Sequence, residues 1–268
     1  MESLTALRER RAFECRLTPD RALGSVDEAE AFLRERGMLT RTPDCALPSL
    51  YEACHERPYR EGAAGFGSWP ATKWPWFGAL TERGHLCVAV HRGKNLLLSA
   101  DTAALLDPIG RAETDRMRAE NSAWRRLLDH LARVGPSTTE DLRTELSLKR
   151  QELKALRSPL ERCGVIVARS VAMTSGRGDG DGGGGGEHRQ DSELCRWDQA
   201  YQGPPGAATD PAEALAELVV AAVRAAVLAP EPEPRRWFSW TWYWPDTLVD
   251  DLIRAGRLHR LDGYVAAV

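Results

Sequence analysis

The stretch "GPSTTEDLRTELSLKRQELKALRSPLERCGVIVARS" (residues 135–170) decides the fold, because it contains two helix starts and a helix stop in quick succession. Ser137-Thr138-Thr139-Glu140 is a cap, and Leu142 and Leu146 indicate a short helix after it. A longer helix is predicted from about Lys149 to Arg162, with Gly164 as its stop signal. Its buried face consists of Leu153, Leu156 and Leu160.

A helix precedes this stretch and strand-like segments follow it. The preceding helix has an apolar stripe of Trp124, Leu127, Leu128 and Leu131. The segments 165–174 and 192–201 flank the glycine tract "GRGDGDGGGGGEHRQD" (176–191), which cannot pack a core. Three helices followed by two strands around a loop is the order of a winged helix–turn–helix, with the tract as wing tip. The alternative is that the tract links two domains.

The last third repeats this plan. Asp210 and Pro211 open a helix, "RWFSW" (236–240) is predicted to be a short second helix, and a third begins at Pro245-Asp246. "RLHRLDGYVAAV" (257–268) is then a hairpin with an Asp-Gly turn. These elements predict a second winged helix with a minimal wing.

The aromatic octet "WFSWTWYW" (237–244) belongs to this second unit. Trp237, Trp240 and Trp244 share a helical spacing, so we expect them in the core. Trp242 and Tyr243 project elsewhere and are the better candidates for stacking on a ligand.

The first third is predicted to be a helical domain with a β-hairpin. Ser25-Val26-Asp27-Glu28 is a capping box for a helix that stops at Gly37, and a short helix is expected at Leu50–Glu56. The hairpin pairs Leu86–His91 with Leu96–Ser99.

The whole chain is thus predicted to be an α+β protein in which tandem winged helix–turn–helix domains follow an N-terminal helical domain with a hairpin. The expected boundaries are 1–120, 121–203 and 208–268.

Composition limits the possible classes of protein. The net charge of −3 excludes a uniformly basic surface but permits a local basic patch. Six scattered cysteines fit reduced thiols, and the charged start (1–15) has no apolar signal segment, so we expect a cytoplasmic protein. The longest apolar stretch (212–229) contains Glu213, Glu217 and Arg224, which favours an amphipathic helix over a membrane span.

Three segments resemble the winged-helix proteins related to the AlkZ/YcaQ DNA glycosylases. They are residues 135–170, "WPWFGALTERGHLCVAVHRGKNLLLS" (74–99) and "LIRAGRLHRLDGYVA" (252–266). The resemblance implies tandem winged helices around a channel for duplex DNA, and excision of alkylated or bulky bases. Active members place a catalytic water with a Gln-apolar-Gln motif or a Gln-x-Asp variant. This chain's glutamines are not spaced that way: Gln151, Gln190, Gln199 and Gln202.

The catalytic residues are therefore unknown. A glycosylase must stack the flipped base and activate water. Stacking side chains and general bases could come from Trp69, Trp74, Trp76, Asp101 and Asp107, although ordinary packing explains each of them more simply.

DNA contact is predicted on the exposed face of the 149–162 helix, on the glycine wing and in the last hairpin. The segment 124–169 has ten Lys or Arg against six Asp or Glu, although a solvated helix face would give a similar pattern. The candidate DNA-binding residues are Lys149, Arg150, Gln151, Lys154, Ser158, Arg177, Arg189 and Arg257. In the last unit Arg254, Arg257 and Arg260 alternate with acidic residues, which suits docking as well as DNA.

No metal or other cofactor is expected. One segment gathers Cys45, Cys54, His55, His85, Cys87 and His91, but their spacing matches no closed zinc-finger pattern. Buried thiols and ordinary histidines explain them more simply, and the glycine tract is not a phosphate loop because no Lys-Ser/Thr follows it.

The favoured function is therefore binding of double-stranded DNA, with a role in DNA repair or protection. One alternative is an active glycosylase, and another is a winged-helix module that binds proteins.

Overall fold

The computed structural model describes residues 2–56, 74–172, 190–204 and 210–268. Its helices are α1 Leu4–Glu14, α2 Val26–Arg36, α3 Trp74–Glu82, α4 Ala100–Glu120, α5 Ser122–Val134, α6 Thr139–Glu145, α7 Arg150–Arg162, α8 Trp197–Ala200, α9 Pro211–Ala226 and α10 Leu248–Arg254. Its strands are β1 Met38–Thr40, β2 Leu86–His91, β3 Lys94–Leu98, β4 Ser137–Thr138, β5 Ile166–Ala172, β6 Gln190–Arg196, β7 Ala229–Pro230, β8 Leu258–Leu261 and β9 Tyr264–Ala267. The protein is thus a mixed α and β structure with small antiparallel sheets.

The strands form sheets of the same topology in each third of the chain. Their orders are β1-β3-β2, β4-β6-β5 and β7-β9-β8, so each time a short strand pairs with the second strand of a hairpin. The first of these sheets was not predicted, because β1 has three residues and pairs with a strand far along the chain, Met38 opposite Leu98. The hairpin β2–β3 itself was predicted.

The middle third follows its local sequence signals. Asn121 caps α5 by accepting from the backbone N–H of Ala123 and Trp124, and Thr138 caps α6 by accepting from Asp141 N. Helix α7 continues past Pro159 to Arg162, where the predicted helix also ends. The carbonyl of Ala155, which has no N–H partner at Pro159, belongs to an exposed residue and can be hydrated.

The aromatic octet is not a helix, contrary to prediction. Short 3₁₀ turns occupy Pro234–Arg236 and Thr241–Tyr243, because Ser239 donates from its backbone N–H (3.0 Å) and its hydroxyl (2.9 Å) to Val90 O. These bonds hold the segment against β2 as irregular chain. The predicted helix at Leu50–Glu56 is likewise only a 3₁₀ turn, Glu52–Cys54, and the last helix starts at Leu248 rather than at Pro245.

The tryptophans that we expected in the core are nevertheless buried. Trp237 is 0 % exposed, Trp240 1 % and Trp244 9 %, whereas Trp242 is 49 % exposed. The inside and outside assignments were therefore right although the assumed helix was wrong.

Helix α4 connects the thirds of the chain through buried carboxylates. Asp107 accepts hydrogen bonds from Trp197 Nε1 (2.8 Å) and from Arg111 Nε (2.9 Å). Glu113 Oε1 accepts from Trp242 Nε1 (3.1 Å) and from the Tyr243 hydroxyl (2.8 Å). Buried charges need such partners, so these bonds position α4 against both later segments.

One hydrophobic cluster includes residues from every third, among them Leu106, Val167 and Trp237. Helix α9 packs into this cluster with Leu215, Leu218, Val219 and Val223. In the part of the chain that the structure describes, no helix is long and apolar enough to span a membrane. The positions of the domain boundaries stay a prediction.

Substitution of alanine for two helical glycines is expected to have opposite effects on stability. A Cβ at Gly110 would lie 2.8 Å from the ring of Trp197, so Gly110→Ala is expected to lower the free energy of unfolding by about 1–3 kcal/mol through overpacking. A Cβ at the exposed Gly78 meets no described atom within 4 Å, so Gly78→Ala is expected to raise it by about 0.5–1 kcal/mol. Urea unfolding measures both, and equal effects would contradict the packing around Trp197.

Candidate nucleic-acid interface

The C-terminal end of α7 is fixed against the rest of the protein. Cys163 O accepts a hydrogen bond from Trp240 Nε1 (3.0 Å), and Gly164 lies close to Val90 of β2. The Arg162 side chain extends past Gly93 in the turn of the β2–β3 hairpin. This end of the helix is therefore closed to a ligand.

The N-terminal half of α7 is open. Arg150, Gln151 and Lys154 are exposed, as is Lys149 at the cap, while Leu153 between them is 2 % exposed and anchors the helix. Ser158, one turn further, is half-buried and its hydroxyl donates to Lys154 O (2.9 Å). The structure thus brings five candidate residues onto one helix, four of them exposed.

The basic groups on this half are not neutralised by neighbours. Within the described ranges no carboxylate pairs with Lys149, Arg150 or Lys154. Glu152 turns back to accept from Lys149 N (2.7 Å), and Glu161 pairs with Arg157 (3.3 Å). Residues 149–162 have five basic against two acidic side chains, so α7 is locally positive in an acidic protein.

A shallow depression of about 860 Å³ lies between α5 and the end of α6. Its lining residues are Ser122, Arg125, Arg126, Asp129, His130, Arg133, Glu145 and Leu146. Glu145 approaches His130 Nε2 to 2.8 Å, Asp129 pairs with Arg118 (2.7 Å), and Arg126 donates to Leu146 O (3.1 Å). Its charges are mixed and partly paired, unlike those of α7.

Arg257 has a different environment. It lies just before β8 and forms a two-point ion pair with Glu217 of α9. The pair holds the pKa of Glu217 below its usual range and raises that of Arg257 above its own. Arg254 and Arg260 also pair, with Asp251 (2.5 Å) and with Asp250 (2.7 Å). These three arginines of the last third therefore serve internal contacts.

The two wing candidates, Arg177 and Arg189, lie outside the described residues. The strands on either side of them are paired, from Ile166 opposite Arg196 to Ala172 opposite Gln190. The glycine tract therefore joins the two strands of one hairpin.

Trp242 and Tyr243, the aromatic side chains proposed for stacking on a ligand, are held by contacts within the protein. Trp242 and Tyr243 both donate to Glu113, and the Arg116 guanidinium lies 4.8 Å from the centre of the Trp242 ring. Burial and then the bond to Glu113 raise the pKa of Tyr243 to about 12. Trp76 packs partly buried against a second hydrophobic cluster, which contains Phe32 and Leu80. Trp69 and the side chain of Trp74 lie outside the described residues.

The candidate catalytic groups are mostly engaged in structural contacts. Asp107 holds Trp197 and Arg111, as above. Gln199 Oε1 accepts from Arg196 N (3.0 Å) while its Nε2 donates to Leu131 O (2.7 Å). Asp101 is exposed in the first turn of α4.

The Cys and His residues of the first third separate into different surroundings. His55 bonds Arg16 O (2.7 Å), His85 bonds Glu30 (3.0 Å) and Cys54 bonds Leu50 O (3.2 Å). Cys45 and His91 do meet, 3.7 Å apart, with Asp44 beside them. Sequence spacing missed Asp44, because only the fold brings it to a histidine 47 positions away.

Comparison with known proteins found a solved structure of similar fold. No protein-family model matches the chain, and no curated protein is similar to it in sequence. Among solved structures, the DNA glycosylase AlkZ of Streptomyces sahachiroi matches with a TM-score of 0.59 and 15 % identity, over 100 % of this chain and 70 % of that one. The chain has the fold of AlkZ. At this level of identity the match with AlkZ establishes the shared fold, which the sequence resemblance led us to expect.

The Arg257–Glu217 pair predicts a pH dependence of stability. Because the folded pKa of Glu217 is lowered from 4.5, the unfolded chain takes up the proton first as the pH falls. The stabilisation is present above about pH 4.5 and is lost as the pH falls through the lower folded pKa. In Arg257→Met the melting temperature should therefore fall less steeply as the pH is lowered than in the unmodified protein.

Arg150→Met is the matched control, since Arg150 has no carboxylate partner among the described residues, and its acid profile should equal that of the unmodified protein. Identical profiles for Arg257→Met and the unmodified protein would contradict the pairing.

Proposed function

We propose that this protein binds duplex DNA with the N-terminal half of α7 in the major groove. The observation that carries the proposal is the asymmetry of α7. Its C-terminal end packs against β2 and Trp240, whereas Arg150, Gln151 and Lys154 are exposed, as is Lys149 at the cap. No carboxylate of the described residues pairs with these three cations. Helix–turn–helix proteins contact base edges with the N-terminal residues of their recognition helix, which is the half left open here.

The proposal includes a winged helix–turn–helix architecture. In the middle third the order α5, β4, α6, α7, β5, β6, with β6 at the centre of its sheet, supports it. In the last third α9, β7, two 3₁₀ turns, α10, β8 and β9 follow a similar order, as do α2, β1, a 3₁₀ turn, α3, β2 and β3 in the first. We therefore infer three related units, of which only the middle one has a basic recognition helix.

Each candidate residue has a role that fits its chemistry. Arg150 and Gln151 suit base edges, guanine and adenine respectively, because each can form two parallel hydrogen bonds there. Lys149 and Lys154 suit phosphates, which position the protein without selecting a sequence. Ser158 could join them only if its hydroxyl gave up its bond to Lys154 O. Arg177 and Arg189 of the wing are assigned to the phosphate backbone on their charge alone.

Arg257 is assigned a minor part in this proposal. Its guanidinium would have to leave Glu217 before it could reach a phosphate, and the neighbouring arginines are paired as well. The last third then acts mainly as a scaffold that holds α7 in place, since Trp240 bonds the end of that helix.

Base excision is the second candidate function, because the protein that shares this fold is a DNA glycosylase. The Gln-apolar-Gln motif is absent from the sequence, and Asp107 and Gln199 are occupied by structural hydrogen bonds. We therefore favour a DNA-binding relative, with a role in repair or protection, that does not excise bases by that motif.

Salt dependence tests the binding proposal. Lys149→Ala/Lys154→Ala should weaken duplex binding and make the slope of log affinity against log salt shallower by about 2, since each lost phosphate contact removes about one unit. Arg254→Ala is the matched control, an exposed helical arginine already paired with Asp251, and it should leave the slope unchanged. Equal effects of the two variants would contradict a role specific to α7.

Free base measured in the same samples of methylated duplex separates the functions. Binding without released base supports the DNA-binding relative, whereas release of alkylated purine makes the protein a glycosylase. Absence of binding even at low salt would overturn both and leave the protein-docking module.

A further inference from the structure

A cluster of three different donor groups lies where the loop after β1 meets the end of β2. Asp44, Cys45 and His91 each offer one ligand atom, and these atoms lie within 4.8 Å of one another. The cluster is separate from the proposed DNA surface and takes no part in it.

His91 is oriented as a metal ligand would be. The side chain is 0 % exposed, and its Nδ1 donates to Trp237 O at 2.7 Å, which fixes the ring and its tautomer. Nε2 is then left with its lone pair directed toward Asp44 Oδ1 (3.4 Å) and Cys45 Sγ (3.7 Å). Metal-binding histidines almost always donate their other ring N–H to a carbonyl or carboxylate in this way.

Two of the three separations fit a tetrahedral ion, and the third, between the Asp44 and Cys45 ligand atoms, is within 4.8 Å. Zinc bonds of about 2.3 Å to sulfur and about 2.0–2.1 Å to nitrogen and oxygen, at the tetrahedral angle, place S and N about 3.5 Å apart and N and O about 3.3 Å apart. The observed 3.7 Å and 3.4 Å need shifts of only a few tenths of an ångström. The loop that contains Asp44 and Cys45 is held in place at the next residue. Ala46 N donates to Glu233 (2.8 Å) and Ala46 O accepts from Arg11 (3.1 Å).

Two cations of the hairpin turn compete for the same position. Lys94 Nζ pairs with Asp44, and Arg92 Nη2 lies 3.4 Å from Asp44 Oδ2 and 3.3 Å from His91 Nε2. Both side chains are more than a third exposed, at 56 % and 40 %, so they can move into solvent. These two cations neutralise Asp44 when no metal ion is bound, and they weaken metal binding because they compete with the ion for Asp44.

We propose that Asp44, Cys45 and His91 bind a thiophilic divalent cation, zinc first among them, with water as the fourth ligand. The mixed S, N and O donors suit zinc better than magnesium or calcium, which prefer oxygen alone. Binding replaces Lys94 as the partner of Asp44 and releases the Cys45 thiol proton to solvent. The ion would join the loop after β1 to the hairpin, next to the Trp237 carbonyl.

Cobalt(II) titration of chelator-treated full-length protein tests this site, because a cobalt–thiolate bond has a charge-transfer absorption that other ligands lack. A saturable band is expected in the unmodified protein and in Cys54→Ser, whose buried thiol donates to Leu50 O. The band should vanish in Cys45→Ser and weaken in Asp44→Asn. Competition with zinc should remove it.

Lys94→Met provides a gain-of-binding test that misfolding cannot imitate. Removal of the competing cation should tighten cobalt binding by about 10-fold, in the range by which neighbours of the ligands shift metal affinity. A raised melting temperature with zinc, in the unmodified protein but not in Cys45→Ser, is the second readout. An absent band, a band unchanged in Cys45→Ser, or weaker binding in Lys94→Met would each overturn the proposal.

Discussion

The hydrogen bond from Trp240 Nε1 to Cys163 O is the contact on which the arrangement of the molecule depends. It joins the last third of the chain to the end of α7, in a setting where Trp240 is 1 % exposed. A buried carbonyl without this donor would cost about 1–3 kcal/mol. Because the bond packs one end of α7 against the last third, the N-terminal half is the part that is open to a ligand. That half contains three basic residues that no carboxylate of the described residues pairs with: Lys149, Arg150 and Lys154.

Hydrogen bonds to other buried polar groups hold the thirds of the chain together in the same way. Asp107 and Glu113 lie six positions apart on α4, both almost fully buried, and each bonds a tryptophan from a distant segment. Breaking one partner from such a group costs more than an apolar contact would, because the charge remains buried. Helix α4 therefore fixes the geometry in which three sheets of one topology are repeated.

Much of the fold followed from local sequence signals, and the exceptions have physical causes. The caps and apolar stripe of the middle third and the Asp-Gly hairpin act over a few residues, so they could be read directly. The first sheet depends on pairing Met38 with Leu98, and the octet depends on Ser239 bonding Val90, which are distant contacts with no local pattern. Burial of Trp237 was still predicted correctly, although the helix from which it was inferred does not form.

The candidate functional sites also differ in how far the sequence could predict them. The open face of α7 could be predicted from helical spacing, whereas the Asp44 cluster and the pairing of Arg257 needed three dimensions. The central claim is that α7 faces the DNA, and site-directed photo-crosslinking tests it most directly. With a photoreactive residue at Gln151 or at Arg254, duplex DNA should crosslink from position 151 and not from 254. Crosslinking from 254 with none from 151 would contradict the account.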